Sequence, residues 1–328
     1  MTTCARLFAV APAVVVLGLS APARCETGAW QVEAAPALAP GPLGDWDDFR
    51  VSHPCVLRVG SQWRMYYEGA RLDENGLTAG IGLATSTDGV HWQKSPQNPL
   101  LRPDVSPETE EQSARARSPA VCQLADGSFL MLCLDDNLSS GDAVLRFAHS
   151  ADGIHWDTST EREPLLARMD QEMSFSASLF RQSDPPRLQI WYLDAAGDGD
   201  RRSLAHAVRM EAGKWSDVVR QPAQDIDADG SIERAQVVPS GDYYLLCYMA
   251  TKDSGENVVY RFRVSPNARS WLAQGPPDFV PAGAESYGGL AVVYTAEGAR
   301  LFYYEEREDG SRQIRTAFCP KSAYRATP

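Results

Sequence analysis

Ala79–Trp92 reads AGIGLATSTDGVHW, and Phe147–Trp156 reads FAHSADGIHW. Each closes with Ser, any residue, Asp-Gly, two residues and Trp. The two tryptophans lie 64 residues apart, and self-similarity at a near-constant spacing marks a repeat architecture. The series continues at Trp215 (MEAGKW) and Trp271 (PNARSW), after 59 and 56 residues. Trp30, in ETGAW, precedes Trp92 by 62 residues.

Working outward, an aromatic-rich apolar run lies upstream of each tryptophan except Trp30: WRMYYEG (63–69), FLMLCLD (129–135), LQIWYLD (188–194) and YYLLCYM (243–249). A last run, RLFYYEE (300–306), has no Trp after it. Before each comes a shorter run: PCVLRV, PAVCQL, SASLFR, RAQVVP and GLAVVY. The gaps hold turn chemistry such as ADGS, SGD and AEGA, and no helical period is sustained. Four short strands in about sixty residues make one propeller blade. The expected fold is therefore all-β: a five-bladed β-propeller of four-stranded antiparallel blades. The Trp30 segment supplies the strand that the last blade lacks, so an N-terminal strand closes the ring and leaves no open edge. Asp88-Gly89 and Asp152-Gly153 are read as hairpin turns, and each Trp as filler between blades. The sialidase pattern S-x-D-x-G-x-x-W is not matched, because Gly follows Asp directly.

The 328 residues are 44% hydrophobic and 23% charged, enough for one large core, with a formal net charge of -12. Such an acidic chain repels phosphate backbones and anionic lipids, so neither nucleic acid nor a membrane surface is an expected partner. Residues 1–23 combine one Arg, an apolar run and Ala21-Pro22-Ala23, the layout of a signal peptide, leaving residues 24–328 as a single secreted or periplasmic domain. A plastid or mitochondrial transit peptide is the alternative. Arg24 before Cys25 argues against a lipoprotein. Seven cysteines at irregular spacing, without C-x-x-C, speak against zinc. Export permits disulfides, whereas Cys55, Cys122, Cys133 and Cys247 lie in apolar runs where buried thiols are the other reading.

The stretches GDWDDFRVSHPCVL (44–57), WRMYYEG and IGLATSTDGVHWQKSPQNPLL (81–101) resemble the five-bladed propeller superfamily of arabinanases, levansucrases and invertases, glycoside hydrolase family 43/32-like and 130-like. The resemblance implies a sugar pocket on the central axis, lined by the start of each innermost strand, where two carboxylates hydrolyse a glycosidic bond and a third acid orients the sugar. The sequence departs from that pattern at all three acids. Blade one has His53-Pro54, blade two Arg117-Ser118-Pro119, and blade three MSFSASLF with Glu172 as its nearest acid.

The same positions offer other polar groups. Blade one has Asp47, Asp48, Arg50 and His53; blade two has Arg115, Arg117 and Ser118; blade four has Glu233 and Arg234; blade five has Glu285, Ser286 and Tyr287. Arginine pairs bidentately with carboxylate and phosphate, so an anionic sugar or a phosphate co-substrate is one reading and structural ion pairs the other. Glu233 and Glu285 are the candidate acid and base, with His53 as auxiliary. Asp48, Arg50, Arg115, Arg117, Ser118, Arg234 and Tyr287 are candidate substrate contacts. Trp63, Tyr66, Tyr67, Trp191, Tyr192, Tyr303 and Tyr304 are packing residues or sugar-stacking tips. DIDADGSIERAQ (225–236) places Asp225, Asp227 and Asp229 at alternate positions before a Gly, a candidate structural calcium loop with Gln236 in place of its closing Glu. DAAGDGD (194–200) is a weaker version. Three functions stay open for an expected monomer: a glycosidase or phosphorylase with a rearranged acid pair, a carbohydrate-binding propeller without catalysis, and a scaffold whose faces bind protein.

Overall fold

The computed structural model describes residues 24–74, 76–102, 114–137, 143–162, 176–183, 186–194, 202–210, 215–227, 231–252, 257–283 and 286–325. Strands dominate them, in five antiparallel units. The first comprises β3 (Arg50–Val59), β4 (Gln62–Asp73), β5 (Gly76–Ser86) and β6 (Gln93–Lys94), preceded in the chain by β1 (Arg24–Thr27) and β2 (Trp30–Glu33). The second comprises β7 (Ala114–Gln123), β8 (Phe129–Asn137), β9 (Ala143–Ser150) and β10 (Asp157–Arg162). The third comprises β11 (Ala177–Ser183), β12 (Pro186–Asp194), β13 (Ser203–Met210) and β14 (Val219–Pro222). The fourth has β15 (Ser231–Ser240), β16 (Tyr243–Lys252) and β17 (Asn257–Ser265), with Leu272 bridging to Val264 at its outer edge. The fifth has β18 (Ser286–Tyr294), β19 (Gly298–Glu306) and β20 (Arg312–Pro320). The first strands touch in a closed cycle: β3 with β7, β7 with β11, β11 with β15, β15 with β18, and β18 with β3. This is the propeller that the repeat implies.

The last unit is completed from the other end of the chain. β2 pairs antiparallel with β20, Gln31 opposite Phe318 and Val32 opposite Ala317, and β1 adds outside it. The closing strand is where the sequence places it.

The core is divided rather than central. Five apolar clusters each join two neighbouring units, for example Leu130, Leu132 and Phe147 against Ile190 and Tyr192. The second strand of each unit lies between two such clusters. Both of its faces are buried, so WRMYYEG and FLMLCLD read as continuous apolar runs instead of alternating ones.

Each repeat tryptophan packs on the unit before its own. Trp92 meets Phe302 at 5.7 Å between ring centroids, Trp156 meets Tyr66 at 5.7 Å, Trp215 meets Phe147 at 6.1 Å, and Trp271 meets Trp191 at 6.4 Å. Trp30 does the same for the fifth unit, stacking 5.2 Å from Phe262 and donating its indole N–H to Pro277 O. The tryptophans stand at the mouths of the outer strands rather than inside them; Trp92, Trp156 and Trp215 precede β6, β10 and β14.

The repeated Ser-x-Asp-Gly is a turn built to aim that Trp. Asp88 accepts the N–H groups of Val90 and His91 at 2.8 Å each, and Asp152 those of Ile154 and His155 at 2.8 and 2.9 Å. Gly89 and Gly153 supply the left-handed residue at φ 75° and 78°. The fourth unit repeats the device with Asn267, which accepts from Arg269 and Ser270, but Ala268 stands at the glycine position with φ 58°.

Among the described residues Cys55, Cys122, Cys133, Cys247 and Cys319 are free thiols, so the buried-thiol reading applies to them. The signal segment 1–23 lies outside the described residues.

Two outcomes follow for stability. Trp30→Ala, at a side chain with 0% exposure, is expected to cost about 3–5 kcal/mol in urea unfolding. Ala268→Gly is expected to gain roughly 1 kcal/mol, because glycine adopts φ > 0 without the side-chain clash. An unchanged midpoint in either variant contradicts the corresponding role.

Candidate functional site at the propeller axis

Four of the five first strands carry a bulge at one level. Register shifts fall between Ser52 and Cys55 in β3, Arg117 and Ala120 in β7, Ile232 and Arg234 in β15, and Gly288 and Ala291 in β18. A bulge re-aims the side chain at its apex. His53 and Ser118, each followed by proline, hold the left-handed region at φ 47° and 53°, and Gly289 holds it at φ 67°. A non-glycine residue there costs on the order of 1–3 kcal/mol and persists only where its surroundings impose it. In the fifth unit glycine is required sterically, since a Cβ on Gly288 would lie 2.3 Å from the Tyr304 hydroxyl.

His53 is 7% exposed and faces Glu68 on β4, itself 6% exposed. His53 Nδ1 lies 2.9 Å from Glu68 Oε2 and 3.0 Å from Ser52 Oγ. Burial opposes the ionised form of Glu68, but the pairing with His53 and the positive charges of Arg117 and Arg312 outweigh it and hold its carboxyl down at about 2. Burial pushes the His53 imidazole down to about 4; Glu68 opposes this, and Arg234 and Arg312 add to it. At neutral pH Glu68 is therefore an anion and His53 is neutral.

Arginines surround this pair. Arg312 Nε donates to Glu306 at 2.5 Å while its guanidinium lies 4.6 Å over the Tyr304 ring. Arg50 Nε donates to Gly310 O at 2.7 Å, and burial together with the charge of Arg312 lowers its pKa. Arg234 is 6% exposed, and among the described residues no hydrogen bond or ion pair engages its guanidinium. Three groups on three strands have no hydrogen-bond partner among the described residues: His53 Nε2 and Ser118 Oγ, both buried, and the Arg234 guanidinium. An unsatisfied buried polar group costs about 1–3 kcal/mol.

His53 and Ser118 thus stand at the bulges of β3 and β7, and the charges of Arg50, Arg117 and Arg234 act on the His53–Glu68 pair. Others go elsewhere. Asp48 accepts the Gly44 N–H at 2.7 Å in an exposed turn before β3. Asp47 is buried under Trp46 and Gly69, where it accepts from Tyr67 and from Lys94. Glu233, at the bulge of β15, pairs with Arg202 at 3.0 Å. Tyr287 packs in the apolar cluster between the fourth and fifth units, 6.1 Å from Tyr303. Arg115 opens β7, opposite Asp136. Glu285 and Glu172 lie outside the described residues.

In the third unit, at the resemblance's acid position, serines fasten strands instead. Ser176 Oγ donates to Ala235 O at 2.9 Å, and Ser178 Oγ accepts from Val237 N at 2.9 Å. Cys55 Sγ and Gln236 Oε1 make the matching bonds to Val121 N and Val292 N. Sequence reading passed over Glu68 and Arg312. Glu68 had one signal, a lone acid inside an aromatic run.

In the candidate calcium loop Asp225 is exposed and Asp227 is buried in an ion pair with Arg261. Asp229 lies outside the described residues, as does most of the acidic stretch after Asp194. Among the described residues no three His, Cys, Asp or Glu side chains gather as a metal set.

No family model matches the chain. Uncharacterized proteins of two Mycobacterium tuberculosis strains are 30% identical over 133 residues, 38% of this chain. The match spans 42% of those relatives' length. Solved structures match far more of the chain. A glycoside hydrolase superimposes with a TM-score of 0.62 at 14% identity, covering 90% of this chain and 94% of that one. The catalytic domain of Coprinopsis cinerea GH62 alpha-L-arabinofuranosidase gives 0.58 at 13% identity, over 87% and 95%. A GH130 structure, from a family of mannoside phosphorylases containing hydrolases of β-1,2 mannosidic linkages in Candida mannan, gives 0.57 at 13%, over 92% and 95%. The chain shares the propeller fold of glycoside hydrolases of the GH43, GH62 and GH130 type.

The buried pair fixes a pH dependence of stability. Between pH 6.5 and about 4 the unfolded chain binds the His53 proton and the folded chain does not. Between 4.5 and about 2 the same holds for Glu68. Stability therefore falls on acidification through both windows, by at most about 1.4 kcal/mol per pH unit for each group. Thermal unfolding between pH 7 and 4 is expected to show a shallower loss of Tm in His53→Gln than in the parent; equal slopes contradict the assignment.

Proposed function

We propose that the chain is a carbohydrate-active propeller of the glycoside hydrolase type whose axial site takes an anionic sugar, uronate-like or phosphorylated. The observation that carries this is Arg234, a guanidinium on the axis, almost fully buried and unpaired among the described residues. A buried cation without its counter-charge is costly, and a ligand carboxylate or phosphate would supply that charge in the bidentate geometry arginine favours. The fold shared with glycosidases supports a sugar as the carrier of that anion. The leader-like residues 1–23 support an exported protein.

Cleavage and binding without cleavage divide on the acids. Glycoside hydrolysis needs a carboxylic acid still protonated near neutral pH beside a second carboxylate. Glu68, the one carboxylate within the axial pair, is held ionised to about pH 2, and Glu233 is engaged by Arg202. Those two facts favour the second reading, a sugar-binding propeller. Glu285 is the remaining candidate acid for hydrolysis or phosphorolysis.

Calorimetry with galacturonate and neutral galactose oligosaccharides tests the first statement, and reducing-sugar release with and without phosphate separates the two readings. Arg234→Ala is expected to lower affinity for the acidic oligosaccharide at least tenfold, about 1.4 kcal/mol or more, and to leave neutral sugars unaffected. Equal affinity in parent and variant sinks the anionic-sugar reading.

A further inference from the structure

We infer that Arg50 and Arg312 form a second anion subsite, separate from Arg234, so that the ligand is an acidic oligosaccharide with a carboxylate or phosphate on more than one of its sugars. This rests on the anionic-sugar reading and extends it from one charged sugar to a chain of them.

The backbone sets the pair side by side. Arg312 opens β20 and Arg50 opens β3, and the two are direct partners in the parallel bridge between the fifth unit and the first. Arg312 N donates to Phe49 O at 3.4 Å across the same bridge. Directly opposed residues project to one face of a sheet, and like charges placed so repel. Burial and then the charge of Arg312 lower the Arg50 pKa, while Glu306 and Glu68 oppose them.

Both guanidiniums are held in the same way. Arg50 donates Nε to Gly310 O at 2.7 Å and lies 4.9 Å over the Phe49 ring. Arg312 donates Nε to Glu306 at 2.5 Å and lies 4.6 Å over the Tyr304 ring. Each thus commits its stem nitrogen and one flat face. Among the described residues the terminal nitrogens of both have no hydrogen-bond partner, and Arg50 has no ion-pair partner. Nor does the fold seal these tips from solvent, as it seals His53 Nε2 and Ser118 Oγ. Two adjacent forks, fixed by their stems and open at their tips, have the geometry in which arginine takes an oxyanion bidentately. An oxyanion between them also removes their repulsion, which Glu306 offsets for Arg312 alone.

Arg234 is a separate pole. It stands on β15, and in the ring of first strands β18 lies between β15 and β3. The charges of Arg234 and Arg312 both act on the His53 ring, so the two poles belong to one electropositive region. A ligand with successive charged sugars engages both.

Calorimetry of the full chain with D-galacturonate and its α-1,4-linked trimer tests this. D-Glucose 6-phosphate and D-glucose 1,6-bisphosphate make the same comparison for phosphate, so the two series distinguish the kinds of anion. In the parent, the probe with several charges is expected to bind about tenfold or more tighter than its single-charge counterpart, and the methyl-esterified trimer to show no such gain. In Arg50→Gln that gain is expected to shrink to about twofold or less. Arg50→Lys keeps the charge and loses the fork, and is expected to lose most of the gain while its melting temperature stays with the parent's. A parent that gains nothing from added charges overturns the inference. So does a gain that survives intact in both Arg50 variants, or one that the esterified trimer reproduces. If single-charge probes bind and added charges contribute nothing, the anionic-sugar reading stands and this subsite falls. If no anionic probe of either series binds, both fall.

Discussion

Everything in this molecule depends on a single contact made five times: an aromatic wedge from one unit set against the rings of the unit before it. A four-stranded sheet of this size cannot bury both faces by itself. It needs a neighbour on each side, and the wedge fixes how far and at what angle that neighbour stands. Because Trp30 makes the contact for the last unit, the series has no first or last member. The five apolar clusters are the consequence, one for each gap.

Ring closure also creates the axis. Five first strands brought together around a line bring their backbones close, and side-chain-to-backbone bonds at Cys55, Ser176, Ser178 and Gln236 tie neighbours laterally. Such a seam is stiff. It can hold His53 and Ser118 in a backbone conformation that a looser frame would relax, and it can keep Arg234 facing inward without a carboxylate. The apolar gaps stabilise a frame in which a few polar groups remain unsatisfied, a common arrangement where a site is preorganised.

How much of this is legible in sequence follows from how far each feature reaches along the chain. The tryptophans and Asp-Gly turns are local and periodic, and so give the units, their order and the closing strand. His53 and Ser118 are legible because the prolines after them punctuate the strand. Glu68 is hidden in an aromatic run, and only the cross-strand register, Ser52 opposite Glu68, brings it to the histidine. Glu233 and Arg234 are adjacent and look equivalent, yet Glu233 is the extra residue of the β15 bulge, so one reaches Arg202 and the other the axis. Asp227 reads as a calcium ligand within its own twelve residues, and nothing in them reveals that Arg261 arrives from β17. The separation of the departed acids from their replacements is a three-dimensional fact for the same reason.

The pairing of β2 with β20 has a bearing on the timing of folding. Gln31 meets Phe318, so the first ordered strand and the last are partners. No segment of the nascent chain shorter than nearly its whole length can complete the ring. At about 5–20 residues per second, synthesis leaves Trp30 without its strand partner for tens of seconds. The four-unit intermediate of that interval presents two raw faces, one on each side of the missing sheet. Contacts so distant in sequence form late and slowly, after local hairpins are in place. The polypeptide therefore passes through an open-ended state whose exposed aromatic faces would fit another such molecule as readily as its own tail.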